Sequence, residues 1–180
     1  MAKINGVEVK AVKNHTDHEG WLIHSGNIYV DGKKIGSWRD NYMSRFPDYD
    51  IPDGPVWNDL VGRANHFYEK WNKDTSAYKG DPDILISELI KLNEQEKAFK
   101  ECLKKGYDSM VIVFGAYGQF SCLYIPGKHD DWRTRFKKYL DKAPEGLIRP
   151  EYGKPFPMKY IKGMEDFIID EKTNTYESTP

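Results

Sequence analysis

Three histidines and two carboxylates lie within ten residues near the start of the chain, in residues 15–19 and at His24. Imidazole and carboxylate groups at close quarters can bind a divalent metal ion or transfer a proton. The spacing matches no established zinc motif, and neither Cys102 nor Cys122 is near enough in sequence to complete one. We therefore predict no metal site, and the alternative to a reactive site is a polar loop between two strands. If the protein is an enzyme, the candidate catalytic residues are His15, Asp17, His18 and His24.

Two further segments suggest known ligand loops but depart from them at identifiable positions. Residues 115–119 contain two glycines after an apolar run, yet a phosphate-binding loop needs a helix next, and a second strand is predicted instead. Asp48, Asp50 and Asp53 suggest a calcium loop, but Asp53 occupies the position that requires glycine. No Gly-x-Ser-x-Gly elbow is present. The sequence predicts a hairpin turn, a solvated loop and no bound cofactor.

A basic stretch runs from Lys128 to Arg149, with three more basic than acidic residues and with Trp132 and Tyr139 interleaved. This composition suits a surface for single-stranded nucleic acid. Amphipathic helix packing is the favoured interpretation, because it needs no ligand and the aromatic residues share the face predicted to point inward. Over the whole chain 27 basic and 28 acidic residues give a net charge of −1. That balance argues against a dedicated binder of double-stranded nucleic acid, which needs a positive excess.

The first quarter of the chain has the pattern of an antiparallel meander. Residues 4–14 alternate loosely between apolar and polar types, which indicates a strand. Residues 21–30 and 34–39 are predicted to form a hairpin around Asp31-Gly32, since both positions tolerate positive φ. This register would set Ile28 opposite Ile35.

Three amphipathic helices are predicted after the meander, over residues 56–72, 82–105 and 131–142. Apolar residues recur there at three- and four-residue spacing, which places them on one face of each helix. Pro55 suits the first turn of the first helix, and Asp81-Pro82 is a typical start for the second. Gly106 is a typical stop signal after the second helix.

A buried hairpin and some short strands complete the predicted fold. Residues 110–114 are continuously apolar, as expected of a central strand covered on both faces, and residues 119–125 would return beside it. Further β-like pieces lie at 158–161 and 167–169. Because strands pair with near neighbours, we predict an α+β fold. We expect a meander lobe (1–46), an α+β lobe (47–170) and a flexible tail (171–180), together forming one compact unit.

Composition indicates whether the protein can form a core and in which compartment we expect it. Hydrophobic residues make up 39% of the chain and aromatic residues 14%, enough for a real core despite 31% charged residues. No apolar run approaches the roughly 18 residues of a membrane span. The first six residues lack the pattern of a secretory signal, and the two cysteines are expected to be buried thiols. We therefore expect a cytoplasmic protein that does not enter a membrane.

Residues 26–36, Gly-Asn-Ile-Tyr-Val-Asp-Gly-Lys-Lys-Ile-Gly, resemble the opening of small uncharacterised proteins encoded by phages and mobile elements. The resemblance covers this hairpin and its flanks, and no functional residues carry over with it. Accessory phage proteins of this size often bind and disable a host factor. The resemblance therefore implies a host protein or protein complex as the partner.

Our leading hypothesis is a non-enzymatic binding protein, such as a phage-encoded inhibitor that occupies a macromolecule of host defence. The absence of a catalytic motif favours it, as does the number of aromatic residues, because exposed Trp and Tyr dominate protein–protein hot spots. The competing hypotheses are a small-molecule or nucleotide binder or hydrolase that uses residues 15–24, and single-stranded nucleic-acid binding through the third helix. The candidate binding residues are Trp21, Trp38, Tyr42, Phe46 and Tyr49.

Overall fold

A computed structural model describes residues 1–16, 18–40, 47–52, 54–71, 80–114, 122–129, 131, 134, 137–138 and 158–170. Contacts divide the chain into two compact units, Met1–Glu94 with Phe167–Asn174, and Gln95–Asp166 with Thr175–Pro180. The predicted boundary between residues 46 and 47 falls inside the first unit. The elements are β1 (Lys3–Ile4), β2 (Val7–Thr16), β3 (Leu22–Val30), β4 (Lys33–Arg39), β5 (Asp48–Asp50), α1 (Gly54–Trp71), α2 (Asp83–Lys104), β6 (Ser109–Phe114), β7 (Cys122–Gly127), β8 (Met158–Ile161), a short 3-10 helix (Met164–Phe167) and β9 (Ile168–Ile169).

The first unit is built on a six-stranded sheet in the order β5-β4-β3-β2-β1-β9. Each consecutive pair of strands from β1 to β5 is antiparallel, which confirms the predicted α+β class with an antiparallel N-terminal sheet. β9 adds to β1 in parallel, with Lys3 opposite Ile168 and Ile4 opposite Ile169. Phe167, just before β9, is completely buried.

Two tight turns shape the meander, where one was predicted. Asp31 and Gly32 have φ values of 48° and 81°, so the two-residue turn predicted there is confirmed. Asn5 and Gly6 form a second such turn, with φ values of 46° and 78°. The single strand predicted over residues 4–14 is therefore wrong: the turn divides it into β1 and β2, because Asn-Gly also accepts positive φ at both positions.

β-Bulges alter the predicted register. Ile28 pairs with Gly36 rather than with Ile35, because β4 contains one extra residue between the pairs Ile28/Gly36 and Tyr29/Lys34. A second irregularity interrupts β2 between Lys10 and Lys13. Bulges leave one extra residue unpaired on one strand and increase the local twist.

The core of the first unit lies between one sheet face and the helices. Alternation along the strands places Val7, Val9, Ile28 and Trp38 on this face, and all four are buried. Trp57 of α1 packs edge-on against Tyr49 of β5, with ring centroids 5.2 Å apart. The buried hydrophobic helix residues of the first unit are Leu60, Ala64, Phe67, Tyr68, Leu85, Ile86, Leu89 and Leu92.

The second unit contains a three-stranded sheet in the order β7-β6-β8. Met110, Val111 and Ile112 of β6 are consecutive and at most 3% exposed, which confirms a strand covered on both faces. The β-like piece predicted at 158–161 is β8, antiparallel to β6. Two α-helices are present in the described part of the chain rather than three. Most of the segment predicted as the third helix, 131–142, lies outside the described residues.

Candidate functional site

His24 and Asp40 form a hydrogen-bonded pair at one end of the six-stranded sheet. His24 Nδ1 lies 2.7 Å from Asp40 Oδ2, and the side chains are 26% and 35% exposed. The His24 backbone N–H also donates to Asp40 Oδ2 at 2.9 Å, and the Asp40 N–H donates to the His24 carbonyl at 2.8 Å. An ionised carboxylate only accepts, so Nδ1 is the donor of this bond, and the neutral tautomer with its proton on Nδ1 leaves the other ring nitrogen as an acceptor. That tautomer is the one a general base needs.

The three histidines of residues 15–24 do not converge. His15 pairs with Ile23 across β2 and β3, whereas His24 pairs with Asn14. Neighbouring residues of a strand point to opposite faces, so His15 and His24 lie on opposite faces of the sheet. His18 is 83% exposed and its Nε2 lies 3.8 Å from Glu19. Asp17 lies outside the described residues. Within the described part of the chain, no three His, Cys, Asp or Glu side chains form a metal-binding group.

An acidic and phenolic neighbourhood surrounds the His24–Asp40 pair. Burial first, and then the charges of Asp81 and Asp40, raise the pKa of Asp83 to about 6. Burial first, and then the charges of Asp83 and Asp81, also raise the pKa of the Tyr49 phenol above its ordinary value. The environment therefore disfavours further negative charge, as expected where several carboxylates share a partly buried site.

Tyr68 links α1 to the start of α2 beside this neighbourhood. Its hydroxyl donates to the Asp81 carbonyl at 2.6 Å and accepts from the Leu85 N–H at 3.2 Å. Burial raises the pKa of Tyr68 to about 12. Asp81 caps α2 as predicted, accepting from the Asp83 N–H at 2.9 Å. Tyr68 thus holds the helix start where Asp83 faces Asp40.

Sequence reasoning singled out His24 but missed Asp40, Asp83 and Tyr68. Asp40 follows the hairpin by one residue, and only the register of β3 and β4 reveals that it lies beside His24. Asp83 was not singled out in the sequence, where only Asp81-Pro82 marked the start of the helix. The described residues place no hydroxyl or thiol in hydrogen-bond contact with the His24 ring, whose bond is to Asp40.

The five predicted binding aromatics occupy different environments. Trp21 is 59% exposed, whereas Trp38 is 2% exposed and fills the core. A ring buried to that degree presents no face to a partner. Tyr49 is half-buried against Trp57. Tyr42 and Phe46 lie outside the described residues.

Trp21 belongs to an exposed surface at the end of the β2–β3 hairpin. We call residues 13–16 and 18–21 the hairpin tip; all of them are exposed. Trp21 is one of the few large apolar side chains on the described surface, with Met1, Leu103 and Ile168. An indole with this exposure lies where a partner can cover it.

Comparisons with protein-family models, curated proteins and solved structures find no match for the chain. Neither described helix combines the length and apolar composition that crossing a membrane requires.

Proposed function

We propose that this chain is a non-enzymatic binding protein that recognises a protein partner through the hairpin tip, with Trp21 as the anchor. The observation that carries the proposal is the 59% exposure of Trp21 on a strand pair whose outer residues are all exposed. A tryptophan that becomes buried in a complex contributes a large apolar area and an N–H donor at low entropic cost.

The surroundings of Trp21 support this role. Lys13 and Glu19 carry opposite charges on the tip, and His15 and His18 add polar groups that are exposed in the unbound chain. An apolar anchor within a polar, nearly neutral rim is the usual anatomy of a transient protein interface. On the resemblance of residues 26–36 to phage-encoded proteins, we propose further that the partner is a host protein whose action the chain blocks.

The test compares Trp21→Ala with Leu103→Ala. Leu103 is also an exposed large apolar residue, at 42%, but it lies in α2 away from the hairpin in sequence. After affinity capture from host lysate has supplied a candidate partner, its dissociation constant is measured with the purified proteins. We expect Trp21→Ala to weaken binding by at least about tenfold, the loss of a hot-spot residue. Leu103→Ala should change it less than about twofold.

Both substitutions are at exposed positions, so thermal unfolding should be unchanged and a loss of binding cannot be assigned to misfolding. Equal binding of the wild-type protein and Trp21→Ala to every captured partner would refute the hairpin tip as the contact surface.

The His24–Asp40 pair favours a second candidate function, the binding or hydrolysis of a small molecule or nucleotide. The sequence hypothesis grouped His24 with His15 and His18, but the sheet separates them. This candidate function therefore requires that His24→Ala abolish ligand binding or turnover, whereas His15→Ala combined with His18→Ala leaves both intact. Ligand binding or hydrolysis that survives His24→Ala would exclude it.

A further inference from the structure

A cavity of about 650 Å³ opens within the first unit, between α1 and the two tight turns of the meander. Small-molecule sites in proteins commonly occupy roughly 300–1,000 Å³, so this cavity has the volume of a ligand site. It lies at the two turns rather than at the hairpin tip, and neither His24 nor Asp40 lines it.

Arg63 of α1 fixes one wall of the cavity. Its Nη2 donates to Asp31 Oδ2 at 2.7 Å, its Nη1 to the Asn5 carbonyl at 2.8 Å, and its Nε to Asp59 Oδ2 at 3.1 Å. The guanidinium therefore joins both turns to the helix. A side chain held by several partners is pre-organised, so a ligand need not order this wall on binding.

The cavity wall carries more acid than base. Asp31, Asp59 and Asp170 line it together with Arg63, which gives a formal charge of −2 when the lining His66 is counted as neutral. The charge of Arg63 is already engaged by two of these carboxylates. The field that remains attracts a cation and repels phosphates. The amides of Asn5 and Asn58 supply acceptors for ammonium N–H groups.

Gly62 leaves the α1 side of the cavity open. Glycine is unfavourable inside a helix, and nothing lies within 4 Å of a Cβ built at this position. Neither crowding nor a positive φ requires glycine there, since the residue lies within α1. Because Gly62 lines the cavity, a long side chain at this position would add bulk at its wall.

We propose that this cavity binds a small aliphatic amine carrying two or more positive charges. The inference stands apart from the partner proposed for the hairpin tip. The net negative lining favours a cation over an anion, and the volume of the cavity accommodates a molecule of this size.

The experiment is a calorimetric titration of the full chain with spermidine, beside ATP and glucose as anionic and neutral probes. We expect saturable spermidine binding and none of the other two. Asp170→Asn, which removes one lining charge, should weaken spermidine binding about fivefold. Gly62→Met places a good helix former in the cavity and should abolish binding while the helix is preserved.

Glu88→Gln is the matched control, because it removes the same charge from an exposed carboxylate of α2 that does not line the cavity. It should leave spermidine binding unchanged. Three results would overturn the proposal: no spermidine binding at millimolar concentration, tighter binding of ATP, or an equal loss in Glu88→Gln and Asp170→Asn.

Discussion

Asp83 illustrates how burial can override a favourable local position. A carboxylate in the first turn of a helix is normally stabilised by the helix dipole. Here burial, followed by repulsion from Asp81 and Asp40, raises its pKa from 3.8 to about 6. The folded state therefore binds this proton more tightly than the unfolded state. Stability is lost as pH rises from about 4 to about 7, because the folded chain must then carry a charge that its surroundings disfavour.

We predict that Asp83→Asn raises the melting temperature at neutral pH and flattens its dependence on pH over that range. The amide keeps the shape of the side chain without the charge. Melting temperatures measured across the pH range test this, with Glu94→Gln, at an exposed carboxyl of α2, as the control. A pH profile of Asp83→Asn that matches the wild type would contradict the role assigned to Asp83.

Gly62 leads to a prediction about stability alone. Because a Cβ at this position meets no neighbour, Gly62→Ala should stabilise the protein by about 0.5–1 kcal/mol through its higher helix propensity. Urea unfolding measures the change. A destabilised variant would mean that α1 needs glycine for a structural reason.

The partners and exposure of individual side chains were the features that the sequence predicted least well. His24 was singled out by its type, but its partner Asp40 is 16 residues away and is brought to it by strand register. Likewise Trp21 and Trp38 are indistinguishable by type, yet one is 59% and the other 2% exposed. Residue type limits the chemistry available, whereas exposure and partners depend on packing.

At the scale of elements, Arg63 of α1 connects the Asn5-Gly6 turn to the Asp31-Gly32 turn. The Asp31 N–H donates to the Gly6 carbonyl at 2.9 Å, and Arg63 contacts both turns. A Cβ at Gly6 would collide with the Asp31 carboxylate and the Arg63 guanidinium, whereas a Cβ at Gly32 would meet nothing.

We predict that Gly6→Ala destabilises the first unit more than Gly32→Ala, by about 1 kcal/mol or more. Both glycines have positive φ, near 80°, so each substitution carries the same backbone penalty of roughly 1 kcal/mol. The difference isolates the broken contacts of Arg63. Chemical denaturation of the two variants measures it, and equal destabilisation would show that Arg63 contributes nothing to the turns.

Both described α-helices and one of the two tight turns could be predicted from the sequence. The predicted helices at 56–72 and 82–105 correspond to α1, Gly54–Trp71, and α2, Asp83–Lys104, because their apolar spacing and end signals are local. The turn at Asp31-Gly32 could be predicted in the same way, because both residue types tolerate positive φ. The bulges were not, since an extra residue in one strand is defined only by its partner strand.

At the scale of the whole molecule, a strand late in the sequence pairs with the first strand. β9 pairs in parallel with β1, and the Asn5 N–H donates to the Ile169 carbonyl at 2.8 Å. The short β-like segment at 167–169 was visible in the sequence, but its neighbour was not. A pairing across more than 160 residues leaves no local pattern, and contacts between distant segments are the ones that local reasoning misses.

We predict that Phe167→Ala destabilises the first unit by about 3–5 kcal/mol, because the ring is completely buried and its loss leaves a cavity. Ile168→Ala, at a residue that is 38% exposed, should cost less than about 1 kcal/mol. Denaturant unfolding of both variants separates the two costs. A small effect of Phe167→Ala would indicate that the first unit does not depend on the returning segment.

The parallel strand β9 also has a consequence during synthesis on the ribosome. Ribosomes add about 5–20 residues per second, so seconds pass between the emergence of β1 and that of Ile168 and Ile169. Until then the outer edge of β1 lacks its neighbour in the sheet, and unpaired strand edges are where nascent chains associate wrongly. Its two-residue length, Lys3–Ile4, limits that hazard, since so short an edge offers few hydrogen bonds to another chain.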